Sequence, residues 1–289
     1  MKLLLPLSFS TYVLFPFLFP VLIAMLLGTP LPALAQGNLL VTPMRVIFDG
    51  QKRTEELNLA NSGKDTARYV ISLIEIRMNK DGTFDKISEP DSGQQFASKH
   101  LRFFPRSVVL GPNEAQVVKV QLTRSSQLTT GEYRSHLYFR AVPNEKPLGE
   151  PITLTDSNGI SVKLTPVFGL SIPVIIRVGE TTASVRLSDL SLDSARPEAP
   201  QLSMVFNRTG NASVYGDVTV DYISPQGKAT LVAMARGMAV YAPNQQRNLH
   251  LWLNNKQGLD YHKGRLRVTY SVKRKTVTDR MTQAELQLR

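Results

Sequence analysis

The stretch ISVKLTPVFGLSIPVIIRV, residues 160–178, has the most regular pattern in the chain. Every even position in it is apolar or proline, whereas the odd positions are mostly polar, with Val167 and Ile175 as exceptions. Side chains of a β-strand point alternately to its two faces, so the pattern predicts one strand much longer than the usual length of about 5–6 residues. Pro166 and Pro173 have no N–H for a neighbouring strand, which predicts that this strand lies at a sheet edge or bends between domains.

Shorter alternating runs separated by turn residues fill the chain on both sides of this strand. No amphipathic helix of four or more turns is predicted, and turn signals recur roughly every 8–12 residues, as in antiparallel sandwiches. The runs before the long strand are 39–48, 56–61, 69–78, 107–110, 116–122 and 133–142, with a hairpin turn at 80–82. Those after it are 183–192, 202–207, 214–223, 230–234, 239–242, 249–254, 265–272 and 285–288. The sequence therefore predicts an all-β fold, two immunoglobulin-like β-sandwich domains joined by a long strand.

The amino-terminal residues 1–35 have the pattern of a secretory signal peptide. Lys2 precedes a long apolar run, and the segment ends in the small-x-small sequence Ala-Leu-Ala before a predicted cleavage after residue 35. The apolar run is also long enough for a retained transmembrane anchor, but its three prolines favour the signal peptide. We expect an exported protein with an N-terminal domain at 36–179, an exposed loop at 143–159 and a C-terminal β-sandwich domain at 180–289.

Composition excludes several function classes. The chain of 289 residues has no cysteine, which excludes disulfides, thiolate metal sites and cysteine nucleophiles. Its 4 histidines are scattered, and the nucleophile-elbow, phosphate-loop and dinucleotide motifs are absent, so we expect no enzyme activity, no metal and no cofactor. The net charge of +11 fits a solvated basic face or a negatively charged partner. No aromatic platforms accompany the basic residues, so no nucleic acid partner is predicted.

Residues 39–178 resemble the PapD-like periplasmic pilus assembly chaperones of the chaperone–usher pathway. Four segments carry the resemblance: RVIFDG at 45–50, the Pro105, Leu110 and Pro112 spacing followed by 117–122, YRSHLYFR at 133–140, and IPVIIR at 172–177. Such a chaperone caps an incomplete pilus or fimbrial subunit in the periplasm by donating an edge strand. It then delivers the subunit to an outer-membrane usher.

The resemblance also implies the residues that carry this activity. The donor strand would present Ile160, Val162, Leu164, Pro166 and Phe168 to the subunit, while 170–178 serves the protein's own core. Arg45 falls on the family's cleft arginine, which binds the subunit's terminal carboxylate.

One departure from the family pattern concerns a second cleft base, which aligns with Pro173. The candidate accessory bases are Lys163, Arg140 and Arg177. Arg177 has an equally good alternative role in an ion-pair network between the domains.

Two alternatives to this function stay open from the sequence. The first is an exported β-sandwich structural protein, such as a fibre component or adhesin, without chaperone activity. The second, a hydrolase whose catalytic carboxylates are far apart in sequence, is disfavoured. The expected partners are a pilus subunit and an outer-membrane usher, and a homodimer that caps its own donor edges is left open.

Overall fold

The computed structural model describes residues 39–123, 125–143, 167–196, 198–254, 258–274 and 277–288. Residues Gly37–Arg289 form one compact unit. The described residues are organised as strands, with two short 3-10 turns at Ser98–His100 and Ser125–Gln127. None of their helical segments is long and apolar enough to cross a membrane. The predicted signal peptide and most of the predicted 143–159 loop lie outside the described residues.

The first sandwich is built from two sheets of mostly antiparallel strands. Their side chains alternate between buried and exposed positions, as predicted. Its strands are β1 (Leu39–Thr42), β2 (Val46–Phe48), β3 (Thr54–Asn61), β4 (Ala67–Ile74), β5 (Ile76–Met78), β6 (Phe84–Lys86), β7 (Leu101–Phe104), β8 (Ser107–Leu110), β9 (Ala115–Leu122), β10 (Gly131–Val142) and β11 (Gly169–Val178). One sheet has the order β1-β3-β9-β7 and the other β2-β11-β10-β4-β8. Strands β5 and β6 form the predicted hairpin beside them.

The even residues of β11 point into the core between these sheets, as predicted. Ile172, Val174 and Ile176 are buried in one cluster with Phe48 and Phe139 from the neighbouring strands. Burial of each such side chain contributes about 1.5–3 kcal/mol of transfer free energy. The prediction that 170–178 serves the protein's own core is therefore confirmed.

The second sandwich follows the same rules. Its strands are β12 (Ala183–Asp193), β13 (Gln201–Gly210), β14 (Val214–Ile223), β15 (Ala229–Val240), β16 (Gln246–Trp252), β17 (Arg265–Arg274) and β18 (Val277–Gln287). The sheet orders are β12-β13-β16 and β15-β14-β17-β18. Phe206 and Tyr270 meet edge to face at 5.2 Å between ring centroids in its core. The predicted fold class, two immunoglobulin-like β-sandwiches with a long strand leading from one to the other, is confirmed.

Strand boundaries differ from the prediction in several places; the run 69–78, for example, divides into β4 and β5, which belong to different sheets. The run 39–48 divides at Pro43 into β1 and β2, which belong to different sheets, because proline cannot continue the ladder. The runs 230–234 and 239–242 are one strand, β15, whose pairing with β14 shifts register twice and so disguises its alternation. Strand β7 was not predicted, because its four residues end directly at Pro105.

A third apolar cluster joins the two sandwiches. Ile175, an apolar exception at an odd position of β11, packs with Met78, Ala239 and Tyr241. The β5–β6 hairpin adds main-chain contacts, since the Lys80 carbonyl accepts a hydrogen bond of 2.6 Å from the backbone N–H of Asn248. Strand β11 therefore faces its own core on one side and the second sandwich on the other.

Candidate strand-binding edge and anion cleft

The first half of β11 has one unpaired edge. On its inner side β11 pairs with β10 along its whole length, from Gly169 opposite Arg140 to Val178 opposite Gly131. On its outer side β2 pairs with it in parallel at Val174–Ile176. No other described strand lies beside the outer side of Gly169–Pro173.

The hydrogen-bond register shows which backbone groups face this edge. The N–H of Ala141 donates to the carbonyl of Phe168 at 2.9 Å, so the even residues of β11 bond to β10. In an antiparallel ladder the intervening residues direct their N–H and C=O groups the other way. Gly169 and Ser171 therefore present donors and acceptors at the open edge. Pro173 has no N–H to present on this side, so its ring costs β11 no pairing, as the edge prediction required.

Apolar side chains continue up to the beginning of this edge. Phe168 stands immediately before β11 at an even position, and its side chain is 46% exposed. The next even residue, Leu170, is half-buried against the first core. At the beginning of β11, the apolar face of the strand therefore leaves the protein's core and becomes exposed to solvent.

A cluster of arginines lies on the opposite face, towards the second sandwich. The register places His136 opposite Pro173, Arg134 opposite Ile175, and Glu132 opposite Arg177. Arg45 directly precedes β2, which pairs with β11 from Val174 onward. Arg45 and Arg134 therefore flank β11 from its two sides, with backbones two strand spacings apart, about 10 Å.

Arg45 lies with its guanidinium over an aromatic ring. Its Cζ is 4.5 Å from the ring centroid of Tyr215, a cation–π contact with the second sandwich. Its Nε is buried and has no hydrogen-bond partner among the described residues. Burial lowers the pKa of Arg45, and the neighbouring Tyr241 and Glu132 oppose this effect while the charge of Arg177 adds to it.

Arg134 is the most deeply placed of these cations, with 4% of its surface exposed. Its Cζ lies 4.2 Å from the ring centroid of Tyr241, and its Nη2 donates to the Ile76 carbonyl at 3.4 Å. Its Nε and Nη1 have no partner among the described residues. Burial is the main cause that lowers the pKa of Arg134, and the charge of Arg45 lowers it further.

Glu132 and Arg177 clamp the two sandwiches together. Arg177 Nη2 lies 3.0 Å from the Glu132 carboxylate and donates to the Ser213 carbonyl at 2.9 Å. The same carboxylate accepts from the Ser213 backbone N–H at 2.9 Å and from the Ser213 hydroxyl. Glu132 is thereby bonded to both Arg177 and Ser213, and its charge also opposes the lowering of the pKa of Arg45 and of Arg134 by burial.

His136 completes the cluster inside an aromatic cage. Its ring centroid is 6.2 Å from that of Phe84 and 6.1 Å from that of Tyr241. Burial, and secondarily the charge of Arg134, lowers the pKa of His136 to about 3. The histidine is therefore neutral at physiological pH and adds no charge to the cleft.

The structure brings together some of the predicted site residues. Arg45 and Arg177 belong to the cleft, where Arg177 is paired with Glu132, and Phe168 stands at the end of the open edge. Arg140 is exposed opposite Gly169, outside the arginine cluster. The predicted donor residues Ile160, Val162, Leu164 and Pro166 and the accessory base Lys163 lie outside the described residues.

Sequence reasoning missed three members of the cleft. Arg134 occupies a strand that is buried on both faces, and Tyr215 and Tyr241 come from the second sandwich. The signal for Arg134 was an arginine within the continuous buried run of β10, where a charge needs a partner. No local pattern marked the tyrosines, because their roles depend on how the two sandwiches pack.

Within the described residues, no group of three or more histidine and carboxylate side chains is placed to hold a metal ion. The cleft instead offers unpaired guanidinium N–H donors around aromatic rings. Such donors form their strongest hydrogen bonds with carboxylate or phosphate oxygens.

Comparison with known proteins gives likenesses among solved structures. No protein-family model matches the chain, and no curated protein matches it. A crystal structure of the YadV chaperone aligns at 12% identity over 87% of this chain and 100% of its own, with a TM-score of 0.42. The Pseudomonas aeruginosa CupB2 chaperone aligns at 12% identity over 86% and 100%, with a TM-score of 0.40.

A third likeness is to the CsuC–CsuE chaperone–tip subunit pre-assembly complex from archaic chaperone–usher Csu pili of Acinetobacter baumannii. It aligns at 13% identity over 72% of this chain and 91% of its own, with a TM-score of 0.38. The chain is similar to chaperones of the chaperone–usher pathway, the family that its sequence resembles.

Proposed function

We propose that the protein is a periplasmic chaperone that caps pilus or fimbrial subunits by donating the outer edge of β11 and delivers them to an outer-membrane usher. One observation carries the proposal: the outer side of Gly169–Pro173 has no partner among the described strands, while the inner side is fully paired. An unpaired strand edge is a template for pairing with another chain. Main-chain hydrogen bonds to such an edge supply affinity, and alternate side chains in pockets supply specificity.

The position of β2 favours one direction for the guest strand. Strand β2 runs parallel to β11 and begins immediately after Arg45. A guest that pairs with Gly169–Pro173 in the same direction ends at Arg45 and brings its terminal carboxylate to the guanidinium. A guest in the opposite direction would bring its positively charged amino terminus there, which the arginine repels. Charge complementarity thus supports a parallel guest that ends in this cleft.

Apolar side chains before the open edge would fill pockets in the guest. Phe168 is exposed at an even position, and the alternation of the sequence predicts the same face for Ile160, Val162, Leu164 and Pro166. Each large side chain buried in the guest contributes about 1.5–3 kcal/mol before ordering costs.

The remaining elements of the proposal follow from the sequence. Residues 1–35 direct export and are removed, and 36–179 and 180–289 are the two domains of the exported protein. The protein binds its guest without enzyme activity or a cofactor.

A capture assay with the subunit encoded by a neighbouring gene tests the proposal. Phe168→Asp puts a charge into the donated face, and Arg45→Ala removes the guanidinium; we expect each to weaken capture by about tenfold or more. Phe104→Asp and Arg102→Ala make the same changes at exposed positions of β7, on the other sheet, and should capture like the wild type. Equal capture by all five proteins would rule out strand donation, and assembly of the protein itself into fibres would favour a structural role.

A backbone variant tests the edge more directly. Ser171→Pro deletes an N–H that faces the open edge and leaves the ladder with β10 intact. We expect thermal stability near that of Ser171→Ala, because no internal hydrogen bond is lost, and capture weakened several-fold. Undiminished capture by Ser171→Pro would place the guest elsewhere.

A further inference from the structure

One face of the second sandwich combines polar side chains with an exposed tryptophan. Strands β13 and β16 pair side by side, and directly opposite residues of such a pair point to the same side of the sheet. Burial alternates along both strands, so their less buried residues share the outer side. These residues form what we call the amide face: Gln201, Ser203, Val205, Asn207 and Thr209 of β13, and Gln246, Asn248, His250 and Trp252 of β16.

Trp252 lies at one end of the amide face, opposite Gln201. It is the only tryptophan of the chain, and 58% of its surface is exposed. Single exposed apolar side chains are common on protein surfaces and do not by themselves mark a site. An indole, however, is a large and rigid apolar surface with a polar N–H, which suits contact with a ligand. The significance of Trp252 therefore depends on the groups beside it.

Hydrogen bonds hold the polar groups of the amide face in place. Gln246 Nε2 donates to Asn207 Oδ1 at 3.1 Å, and Asn207 Nδ2 donates to the Ser188 hydroxyl of β12 at 2.8 Å. The Ser203 hydroxyl and His250 Nδ1 are 2.8 Å apart. A carboxamide carries two N–H donors and an oxygen with two lone pairs, so one such bond orients it and leaves further bonding capacity. The amide face thus presents a pre-ordered array of both donors and acceptors.

A pocket of about 560 Å³ continues the amide face at the end away from Trp252. It is lined by Asn207 and Gln246 of the face and by Asn79 and Lys80 of the β5–β6 hairpin. Carboxamides dominate its lining: Asn79, Asn207, Asn244, Gln245 and Gln246. Its volume lies in the range of about 300–1,000 Å³ that ligand pockets have. The face and the pocket therefore form one continuous polar surface.

The amide face is nearly uncharged, although the chain has a net charge of +11. Its residues include no lysine, arginine, aspartate or glutamate, and the neighbouring β12 brings Arg186, Asp189 and Asp193 to its margin. In the pocket, Arg208 is buried and donates to three backbone carbonyls, while Lys80 is exposed. A polyanion binds to clustered cations, which this surface does not offer. The charge pattern therefore favours an uncharged ligand.

We propose that the amide face binds an uncharged oligosaccharide. Sugar hydroxyls both donate and accept hydrogen bonds, as the carboxamides and hydroxyls of the face do. The flat, apolar C–H side of a sugar ring stacks on an indole, which Trp252 offers. The face extends about 20 Å along β16 from Gln246 to Trp252, which gives room for several sugar rings in a row.

The composition of the amide face distinguishes this ligand from a protein partner. Protein interfaces are enriched in aromatic residues, methionine and arginine, whereas the amide face has one tryptophan among amides and hydroxyls. The inference goes beyond the proposed function and does not depend on it, because the open edge of β11 belongs to the first sandwich.

The single tryptophan makes the test direct, because all indole fluorescence comes from Trp252. The purified protein is titrated with chitohexaose, cellohexaose and maltohexaose, and binding is followed by fluorescence and by calorimetry. We expect at least one sugar to give a saturable blue shift with a dissociation constant of about 1 mM or tighter. Trp252→Ala should weaken the calorimetric affinity about tenfold or more, Trp252→Phe less, and Gln246→Ala about threefold or more. Phe104→Ala and Gln116→Ala, the matched changes at exposed positions of the first sandwich, should bind like the wild type.

Four results would overturn the proposal. The first is no fluorescence change and no heat with any of the three sugars, and the second is wild-type affinity in both Trp252→Ala and Gln246→Ala. The third is equal or tighter binding of hexagalacturonate, a charged oligosaccharide. The fourth is dimerisation in sedimentation experiments that Trp252→Ala abolishes, without a response to sugar, which would make the amide face an interface between two copies of the chain. Thermal unfolding of each variant checks its folding, and Trp252→Phe and Gln246→Ala decide the matter if Trp252→Ala does not fold.

Discussion

Acid should weaken the junction between the sandwiches through His136. The imidazole is 2% exposed, sits between the rings of Phe84 and Tyr241, and has no hydrogen-bond partner for Nδ1 among the described residues. Its pKa of about 3 has two causes, burial first and the charge of Arg134 second. Protonation of His136 in the folded state would place a second charge against that guanidinium.

The expected loss in the free energy of unfolding follows from proton linkage. The histidine takes up a proton with a pKa of about 6.5 in the unfolded chain and of about 3 in the folded one. Its contribution to stability is therefore fully present above pH 6.5 or so and is lost as the pH falls towards 3. Between pH 7 and pH 5 the free energy of unfolding should fall by about 2 kcal/mol from this group alone.

Urea unfolding at pH 7, 6 and 5, followed by circular dichroism, measures the effect. His136→Phe keeps an aromatic ring in the cage and cannot titrate, so the wild type should lose about 2 kcal/mol more than this variant. Glu75, Tyr241 and the neighbouring arginines are present in both proteins, so their contributions cancel in the difference. His250→Phe, at an exposed histidine, should follow the wild type. Parallel losses for the wild type and His136→Phe would refute a neutral buried histidine.

Three further substitutions probe the parts that hold the site. Glu132→Gln removes the charge that clamps Arg177 and Ser213, and should lower the free energy of unfolding by about 2–4 kcal/mol in urea titrations; a loss below about 0.5 kcal/mol would show that the clamp is dispensable. Gly210→Ala places a Cβ against the Thr182 carbonyl at φ +94°, and should cost at least about 2 kcal/mol by calorimetry, against about 1 kcal/mol for Gly227→Ala, which has φ +85° and open space around it. Asn61→Ala removes donors to the carbonyls of Asp65 and Leu110 and the acceptor for Gly63 N–H, and should cost about 2–3 kcal/mol. Unchanged melting temperatures for Gly210→Ala and Asn61→Ala would contradict the contacts described.

The fold was largely predictable because its signal is local. Alternation at 160–178 assigned the even residues of β11 to the core, and Ile172, Val174 and Ile176 lie there. One of the two apolar exceptions, Ile175, carried information as well, since it packs at the junction with the second sandwich. Bulges and sheet changes were not predictable, because they depend on pairing partners that are distant in sequence.

The cleft was less accessible from the sequence. Arg45 was identified through the family resemblance, whereas the importance of Arg134 depends on burial and on Tyr241, more than one hundred residues away in the chain. Arg177 had two plausible roles, and the structure places it against Glu132. Side chains of one site that come from different sandwiches leave no common spacing in the sequence.

In strand β11, the side chains and the main chain have different roles. Nearly every side chain from Ile172 to Ile176 is fixed by one of two packed interiors, whereas Gly169 and Ser171 offer the solvent mostly peptide groups. A guest strand that pairs there meets peptide groups, which all polypeptides share. These main-chain hydrogen bonds therefore do not distinguish one guest sequence from another. Under the proposed function, discrimination between guests then depends on the side chains at the two ends of that short stretch.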